Sequence, residues 1–152
     1  MNISDIVKNE FALLKKEHLI NPQKILCCVS GGVDSMVLLS ILSELHKELN
    51  FSLIAISVNH NIRSTEETQL DLSIVKSFCN KINVNCVIKT IPCGQIQQVS
   101  KERNRGIEEA ARFLRYQAFE QMAKEQNAKF FCLAHNRNDQ LETLLMRFLQ
   151  GS

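Results

Sequence analysis

A hexapeptide in the first quarter of the chain combines the residue types that hold phosphate. Ser30 and Ser35 supply hydroxyl donors, while Gly31 and Gly32 permit positive φ and keep side chains away from a ligand. Consecutive backbone N–H groups in such a loop can point at phosphate oxygens. A helix expected to begin near Val33 adds its unpaired N–H groups and the positive end of its dipole. The hexapeptide therefore predicts a phosphate-binding loop.

Asp34 distinguishes this loop from the Walker pattern G-x-x-x-x-G-K-S/T, whose lysine is absent here. An acidic side chain beside a phosphate repels it unless a cation lies between them. We therefore interpret Asp34 as a ligand of Mg²⁺. The alternative is an ordinary helix cap, since aspartate is common at the first positions of helices.

Four short apolar runs, too brief for helices, predict the strands that position this loop. They lie at 24–29, 52–58, 85–91 and 129–134, and each is separated from the next by enough residues for a helix. Near-continuous apolar strands joined by helical crossovers predict a parallel sheet covered on both faces. The predicted fold class is α/β, a Rossmann-like doubly wound parallel sheet. Ligands of such sheets bind beyond the C-terminal ends of the strands, where the hexapeptide lies.

Apolar residues at helical spacing predict which helix faces meet the sheet. The three stripes are Leu38, Ile41, Leu42, Leu45 and Leu49; Leu70, Ile74 and Phe78; and Ile107, Ala110, Ala111, Leu114, Ala118 and Met122. We also expect a helical extension over 1–23 before a domain over 24–152, and a last helix over 139–150. The polar stretch over 92–105 is expected to be a surface loop, with a mobile cover over the site as the alternative.

The composition favours a packed soluble domain with a weak hold on nucleic acid. Eighteen basic and sixteen acidic side chains leave a net charge of +2. A domain that binds nucleic acid unaided usually has a clearly basic surface. No apolar run reaches the roughly 18 residues of a membrane span, and the first residues do not form a signal peptide. We therefore expect a cytoplasmic protein.

The six cysteines include no C-x-x-C pair, and several lie inside apolar runs. We expect buried free thiols. The alternative is a redox or metal role for a cluster of Cys79, Cys86 and Cys93, although their spacing matches no standard ligand pattern.

With the loop Ser30–Ser35, the chain resembles the PP-loop ATP pyrophosphatases, whose S-G-G-x-D-S segment holds the phosphates of ATP. Three further segments, at 59–63, 106–116 and 134–143, are similar to those of the tRNA(Ile)-lysidine synthetase family. The last has the family form H-H-x-D-D-Q-x-E-T with two changes. Asn136 replaces the second histidine and Asn138 the first aspartate, which puts a metal or proton-transfer role at these two positions in doubt.

The resemblance implies an adenine nucleotide alpha hydrolase-like fold and an enzyme that uses ATP and Mg²⁺. The wobble cytidine of tRNA(Ile) is activated at its 2-carbonyl oxygen by attack on the α-phosphorus of ATP, and the amine of L-lysine then displaces AMP. Further domains that help to hold the tRNA follow in that family, so we expect a truncated chain. The sequence does not decide between a monomer and a homodimer.

The resemblance also suggests roles for residues outside the loop. Asp139 would share the metal with Asp34, with a favourable helix-dipole charge as its alternative role. His135 would contact the α-phosphate or act as an acid or base, or is a structural histidine. Arg112 and Arg115, three apart on one helix face, would neutralise the triphosphate or meet the tRNA backbone. The alternative for Arg112 is a surface ion pair with Glu108, four residues before it. His60 would border the adenosine or the RNA entrance, or lie in a solvated loop.

Two other functions remain open at this point. A PP-loop enzyme of tRNA thiolation would take sulfur in place of lysine and predicts catalytic C-x-x-C pairs, which this sequence lacks. A nucleotide-binding module without turnover would need only the phosphate loop. Two acids aimed at one phosphate site favour an enzyme over such a module.

Overall fold

The computed structural model describes residues 5, 8–9, 12, 24–30, 32–48, 50–61, 65–128, 130–137 and 140–148. The strands are β1 (Lys24–Cys28), β2 (Ser52–Asn59), β3 (Asn85–Thr90), β4 (Phe130–Arg137) and β5 (Gln140–Phe148). The helices are α1 (Val33–Glu48), α2 (Thr65–Lys81), α3 (Gln95–Glu102) and α4 (Ile107–Glu125).

The five strands form one sheet in the order β3-β2-β1-β4-β5. The first four are parallel, with Ile25 opposite both Leu53 of β2 and Phe130 of β4. The predicted α/β class with a parallel sheet is therefore confirmed. Because β1 lies at the centre, its C-terminal end and the loop that follows lie between the ends of β2 and β4.

Alternate residues of β1 enter two separate cores, as a strand with both faces covered requires. Ile25 and Cys27 pack with the buried side of α1 and with α2 on one face, while Leu26 and Cys28 pack with α4 on the other. Leu38 and its neighbours on α1 are fully buried, each stabilising the fold by about 1.5–3 kcal/mol. The sheet is therefore doubly wound, as predicted.

Two of the three residues in the predicted inner stripe of α2 are wrong, whereas Phe78 packs against the core as predicted. Leu70 and Ile74 are 62% and 47% exposed, whereas Val75 and Cys79 are only 1% and 2% exposed. One residue turns a helix by about 100°, so either face satisfies helical spacing, and only packing against the sheet selects between them. Ile107 of α4 is also exposed at 44%.

The segment over 92–105, predicted to be a polar loop, contains α3. Its Ile96 is 1% exposed and packs with Ile91 and with Ala110 and Leu114 of α4. The helix was not predicted because Ile96 is its one buried residue, and the other seven residues are mainly polar, which leaves too few apolar side chains for a clear helical spacing. The helix is held by a long-range contact that spacing along the chain does not reveal.

The predicted last helix over 139–150 is also wrong, because residues 140–148 form β5, antiparallel to β4. Cys132 lies opposite Met146, and the ladder shifts register between His135 and Asn136. Residues 144–148 form a short, mostly apolar run, L-L-M-R-F, which is compatible with a strand. The pairing with β4 overrides the helical spacing of the same leucines.

Of the predicted extension over 1–23, the structure describes Asp5, Lys8, Asn9 and Ala12, all in helical conformation. The division of the chain at residue 23 stays a prediction. Leu49, from the first predicted stripe, lies outside the described residues. In the described part of the chain, no helix combines the length and apolar character needed to cross a membrane.

All four helices are followed by an asparagine with positive φ. Asn50, Asn83, Asn104 and Asn127 have φ of 58°, 58°, 53° and 56°. After α4, the N–H of Asn127 donates to Lys124 O (3.1 Å), and the N–H of Ala128 donates to Ala123 O (2.8 Å). This pattern closes a helix by turning the chain through the left-handed region, which asparagine and glycine enter most easily.

Replacing Asn127 with alanine is expected to lower the free energy of unfolding by about 1 kcal/mol. The reason is that the Cβ of alanine is strained in the left-handed region and alanine has no polar side chain to hydrogen-bond with the nearby backbone. Asn127→Gly is the matched control and should stay within about 0.5 kcal/mol of the wild type, since glycine has no such penalty. Urea denaturation measures both. Equal losses in the two variants would mean that the asparagine side chain, not its backbone conformation, stabilises this turn.

Candidate functional site

The loop after β1 is held by a ring of hydrogen bonds between its two serines. The N–H of Ser30 donates to Ser35 Oγ (3.2 Å), which donates to Gly32 O (3.0 Å). The N–H of Gly32 donates to Ser30 Oγ (3.3 Å), and the two hydroxyl oxygens lie 3.2 Å apart. Ser35 is buried while Ser30 is exposed. The ring therefore ties the end of β1 to the first turn of α1 and presents the Ser30 hydroxyl to solvent.

Gly32 contributes through its missing side chain rather than through an unusual backbone. Among the described glycines, only Gly94 has positive φ, so Gly32 does not use the backbone freedom that glycine permits. A Cβ added to Gly32 would lie 3.4 Å from Ser30 Oγ, an ordinary contact. The space beside the serine hydroxyl is therefore left open for a ligand. Gly31 lies outside the described residues.

The first turn of α1 offers unused backbone donors beside this space. The first intrahelical bond runs from Met36 N–H to Gly32 O (3.1 Å), so the N–H groups of Val33, Asp34 and Ser35 have no intrahelical acceptor. The Val33 side chain is 79% exposed and leaves the turn accessible. These donors and the helix dipole make this end of α1 suitable for an anion.

One carboxylate oxygen of Asp34 is buried beside these donors. Its Oδ2 is buried and accepts no hydrogen bond from any described residue. A buried polar atom without a partner costs about 1–3 kcal/mol, and more if it is charged. A cation bound at this oxygen would remove that cost, so Asp34 suits a metal ligand better than a simple helix cap.

Two adjoining cavities open at the C-terminal ends of β1 and β2, with volumes of about 260 Å³ and 150 Å³. Ser30, Val58, His60 and Arg115 line both of them. The larger one reaches the side of α2. The smaller one extends under the loop towards Cys28, Ser35, Phe119 and Leu133. Together they provide a cleft of the size and place expected for a ligand of a doubly wound sheet.

Arg115 supplies positive charge to this cleft from α4. Its side chain is half-buried, and its Nε, which is buried, donates to no described residue. Burial raises the pKa of the Cys28 thiol well above its usual range, with Cys132 adding to the rise and Arg115 opposing it. The guanidinium is therefore close enough to act on Cys28 and has a donor left for an anion.

The structure thus brings together four of the predicted site residues, namely Ser30, Ser35, His60 and Arg115, with Asp34 in the adjacent turn. Arg112 does not line either cavity, since it is exposed on another side of α4. For His135 the structure describes the backbone in β4 but not the side chain. Asp139 lies outside the described residues, so its predicted metal role stays a prediction.

Several lining residues were missed by the sequence analysis. Asp71, Leu72 and Val75 of α2 reach the larger cavity, and Phe119 of α4 reaches the smaller one. Asp71 lies four residues before the buried Val75, so the two share a face of α2. That signal was available only after the inner face of α2 was known. Asn59 also lines the cleft, and its Oδ1 accepts from the N–H of Asn61 (2.9 Å) at the end of β2.

The cysteines form no disulfide in the described part of the chain, which includes all six. Cys27, Cys28, Cys79 and Cys132 are buried, as expected, whereas Cys86 is half-buried and Cys93 exposed. A hydrogen bond with Cys79 lowers the pKa of Cys86 and raises that of Cys79. Among the described residues, no three His, Cys, Asp or Glu side chains are placed to hold a metal, so a metal cluster at Cys79, Cys86 and Cys93 is wrong.

Comparison with known proteins gives a consistent result along the whole chain. The family described as PP-loop domain matches residues 3–152. A protein of Treponema denticola named tRNA(Ile)-lysidine synthase is 46% identical over 131 residues, which cover 86% of this chain and 28% of that protein. A Clostridium perfringens protein of the same name is 38% identical over 146 residues, covering 95% of this chain and 30% of its own length. The chain therefore spans less than a third of these relatives.

Solved structures share the fold at lower identity. A U34-tRNA thiolase from Methanococcus maripaludis aligns with a TM-score of 0.64 at 22% identity, covering 90% of this chain and 48% of that one. An NH3-dependent NAD synthetase from Campylobacter jejuni aligns with a TM-score of 0.60 at 15% identity, covering 91% and 58%. At these identities the likeness concerns the fold alone.

Proposed function

The chain belongs to the PP-loop domain family, and on that premise we propose that it is the ATP-binding part of a tRNA(Ile)-lysidine synthase. Such an enzyme is an ATP-dependent ligase that joins L-lysine to the 2-position of the wobble cytidine of tRNA(Ile). Support for this choice comes from relatives of that name at 38–46% identity over most of the chain. The observation that carries it is the serine ring beside unused helix donors at the mouth of a cleft.

The nucleotide would enter with its phosphates at the first turn of α1. The Ser30 hydroxyl and the N–H groups of Val33 to Ser35 would donate to phosphate oxygens, while Ser35 holds the loop from below. The adenosine would extend into the cavities at the end of β2, beside His60 and Asn59. The triphosphate is thus bound mainly by backbone groups, in agreement with the absent Walker lysine.

The residues present fit a divalent cation in part. The buried Oδ2 of Asp34 is an oxygen donor of the type that Mg²⁺ prefers, with no competing hydrogen bond from the described residues. Asp34 would hold the ion, and we propose Asp139 as a second ligand on the grounds of the family resemblance. When bound there, the ion would neutralise charge on the phosphates.

In the first step, the 2-carbonyl oxygen of the cytidine attacks the α-phosphorus of ATP, the bond to the β-phosphate oxygen breaks, and pyrophosphate leaves. In the second, the amine of lysine attacks C2 of the activated base, loses a proton, and displaces AMP. Positioning and charge neutralisation dominate such transfers. The guanidinium of Arg115 lines both cavities together with Ser30, so we assign it the α-phosphate. His135 stays a candidate for the proton transfer.

A tRNA thiolation enzyme that carries sulfur on a cysteine would need a thiol that ionises easily. Cys28 is the cysteine that lines the cleft, and burial raises its pKa well above the usual value. At neutral pH it is therefore a thiol and a poor nucleophile. Cys28 is therefore not suited to carry sulfur in a thiolation reaction.

The full-length protein should be incubated with ATP, isoleucine tRNA and radiolabelled lysine, with cysteine persulfide offered in a parallel reaction. We expect lysine label in the RNA, together with release of AMP and pyrophosphate. Entry of sulfur without lysine would identify a thiolation enzyme. Binding of ATP with neither transfer would indicate a nucleotide-binding module. A tRNA with guanosine at the wobble position is the matched control and should remain unlabelled.

A further inference from the structure

A second concave surface lies along α4, outside the two cavities of the cleft. This groove has a volume of about 590 Å³ and includes the end of α3. Three arginines and two aromatic rings line it: Arg103, Arg105, Arg112, Phe113 and Tyr116. None of the three arginines lines the nucleotide cavities, so their grouping needs a separate explanation.

The arginines are paired with the rings in a way that leaves flat surfaces at the groove. The guanidinium carbon of Arg103 lies 4.1 Å from the centroid of the Phe113 ring, and that of Arg112 lies 5.7 Å from the Tyr116 ring. Both arginines are exposed, while the rings are half-buried and therefore fixed in place. Guanidinium groups over aromatic rings offer a stacking surface and phosphate donors at the same point.

The positive charge of the groove is only partly neutralised by its carboxylates. Glu109 and Glu120 also line it, but Glu109 lies 3.9 Å from Arg105, with both side chains more than 60% exposed. Among the described residues, Arg105 and Glu109 form the one ion pair in the groove. Exposed ion pairs of this kind are weak. Arg103 and Arg112 contact rings instead of carboxylates, so their charge is available to an anionic partner.

The groove and the nucleotide cleft are lined by neighbouring residues of α4. The Tyr116 ring lines the groove, and the guanidinium carbon of Arg115, which lines the cleft, lies 6.0 Å from its centroid. A flexible polyanion bound in the groove would therefore run close to the α4 side of the cleft. A base displaced from that chain would have a short path to the nucleotide.

We propose that this groove binds a single-stranded segment of RNA, with phosphates on Arg103 and Arg112 and bases stacked near Phe113 and Tyr116. The inference rests on the proposed function, where the segment is the loop carrying the wobble cytidine. Single-stranded RNA offers exposed bases and phosphates together, whereas a duplex hides the faces of its bases. An acidic peptide would use the arginines but not the rings.

The test is fluorescence anisotropy with a labelled RNA oligonucleotide of the anticodon-loop sequence. Phe113→Leu keeps an apolar side chain but removes the ring under the Arg103 guanidinium, and should weaken binding about tenfold, because a base stacked on that guanidinium, a contact of roughly 1–3 kcal/mol, would lose its support. Arg103→Gln should weaken it severalfold and lower the slope of log affinity against log salt by about 0.7, the value for one phosphate on a single strand. Lys124→Gln, in the last turn of α4, is the matched charge control and should change neither.

Competitors separate the possible ligands. Unlabelled single-stranded RNA should displace the probe, whereas an equal length of duplex RNA or polyglutamate should not. Unchanged affinity in both groove variants, or equal displacement by duplex or polyglutamate, would overturn the proposal. If Phe113→Leu unfolds, as judged by its thermal transition, Arg103→Gln and Arg112→Gln carry the test.

A second measurement distinguishes failure of this proposal from failure of the proposed function. In the full-length protein, the groove variants should raise KM for tRNA while binding of Mg-ATP stays unchanged. Lysine transfer with a normal KM for tRNA in the variants would contradict RNA binding by the groove and support the ligase function. RNA binding that depends on the groove, without any lysine transfer, would support the groove as an RNA site and contradict the ligase function.

Discussion

Asp34→Asn is expected to slow pyrophosphate release from ATP in the full-length protein by about two to three orders of magnitude, with no loss of folding stability. The Oδ2 of Asp34 is buried without a hydrogen-bond partner among the described residues. An amide of the same shape has no negative charge for a cation, so the phosphates would lose their neutralising ion. Because that carboxylate oxygen is unsatisfied in the fold itself, its replacement should leave the thermal transition unchanged or slightly higher.

The control for this prediction is Glu44→Gln, which removes one negative charge from the exposed side of the same helix. It lies ten residues along α1, roughly 15 Å away, and should leave the rate unaltered. Titration with Mg²⁺ gives an independent readout, since loss of a ligand raises the concentration needed for half-maximal activity. Normal rates and a normal Mg²⁺ requirement in Asp34→Asn would mean that another residue holds the metal.

Arg115→Gln is expected to lower kcat/KM for ATP by about a hundredfold, chiefly through kcat. The guanidinium lines both cavities, is half-buried, and has a buried Nε with no partner among the described residues. A charge shielded from water interacts more strongly with a developing negative charge than one in solvent. Arg115→Lys should recover part of the loss, because it restores the charge but not the planar donors.

Lys124→Gln on the same helix again provides the matched control, as it removes an exposed positive charge far from the cleft. The stability of Arg115→Gln should fall by about 1 kcal/mol or less, the value of a cation–π contact such as that with Tyr116. A proportionate rise in KM with unchanged kcat would assign Arg115 to ground-state binding instead of the transferred phosphate.

The centre of the fold was predictable because its signals are local. The strands at 24–28, 52–59 and 85–90 are short apolar runs, and the loop between β1 and α1 takes its place from the chain order alone. Leu38 and Leu42 were correctly assigned to the core, since α1 has one apolar face. By contrast, α2 has two candidate faces, and only contact with the sheet decides that Val75 is inside and Ile74 outside.

The elements that were predicted wrongly depend on contacts between distant parts of the chain. The helix α3 depends on packing of Ile96 with α4, and β5 depends on pairing with β4. The same limit applies to the site. The serine loop was predictable as one segment, but the contribution of Asp71 from α2 required knowledge of how that helix crosses the sheet. The family resemblance pointed to both Arg112 and Arg115, and spacing favoured Arg115, because Glu108 lies four residues before Arg112 and offered it a surface ion pair.

The asparagines that end the four helices have a consequence for the chemical ageing of the protein. Deamidation begins when the backbone nitrogen after an asparagine attacks the side-chain amide to form a succinimide. Here those nitrogens are occupied, because the N–H groups of Phe51, Val84, Arg105 and Ala128 donate to carbonyls five residues earlier, at 2.8–3.1 Å. The folded protein should therefore keep these four amides during long storage, and conversion to aspartate would mark molecules that had been unfolded.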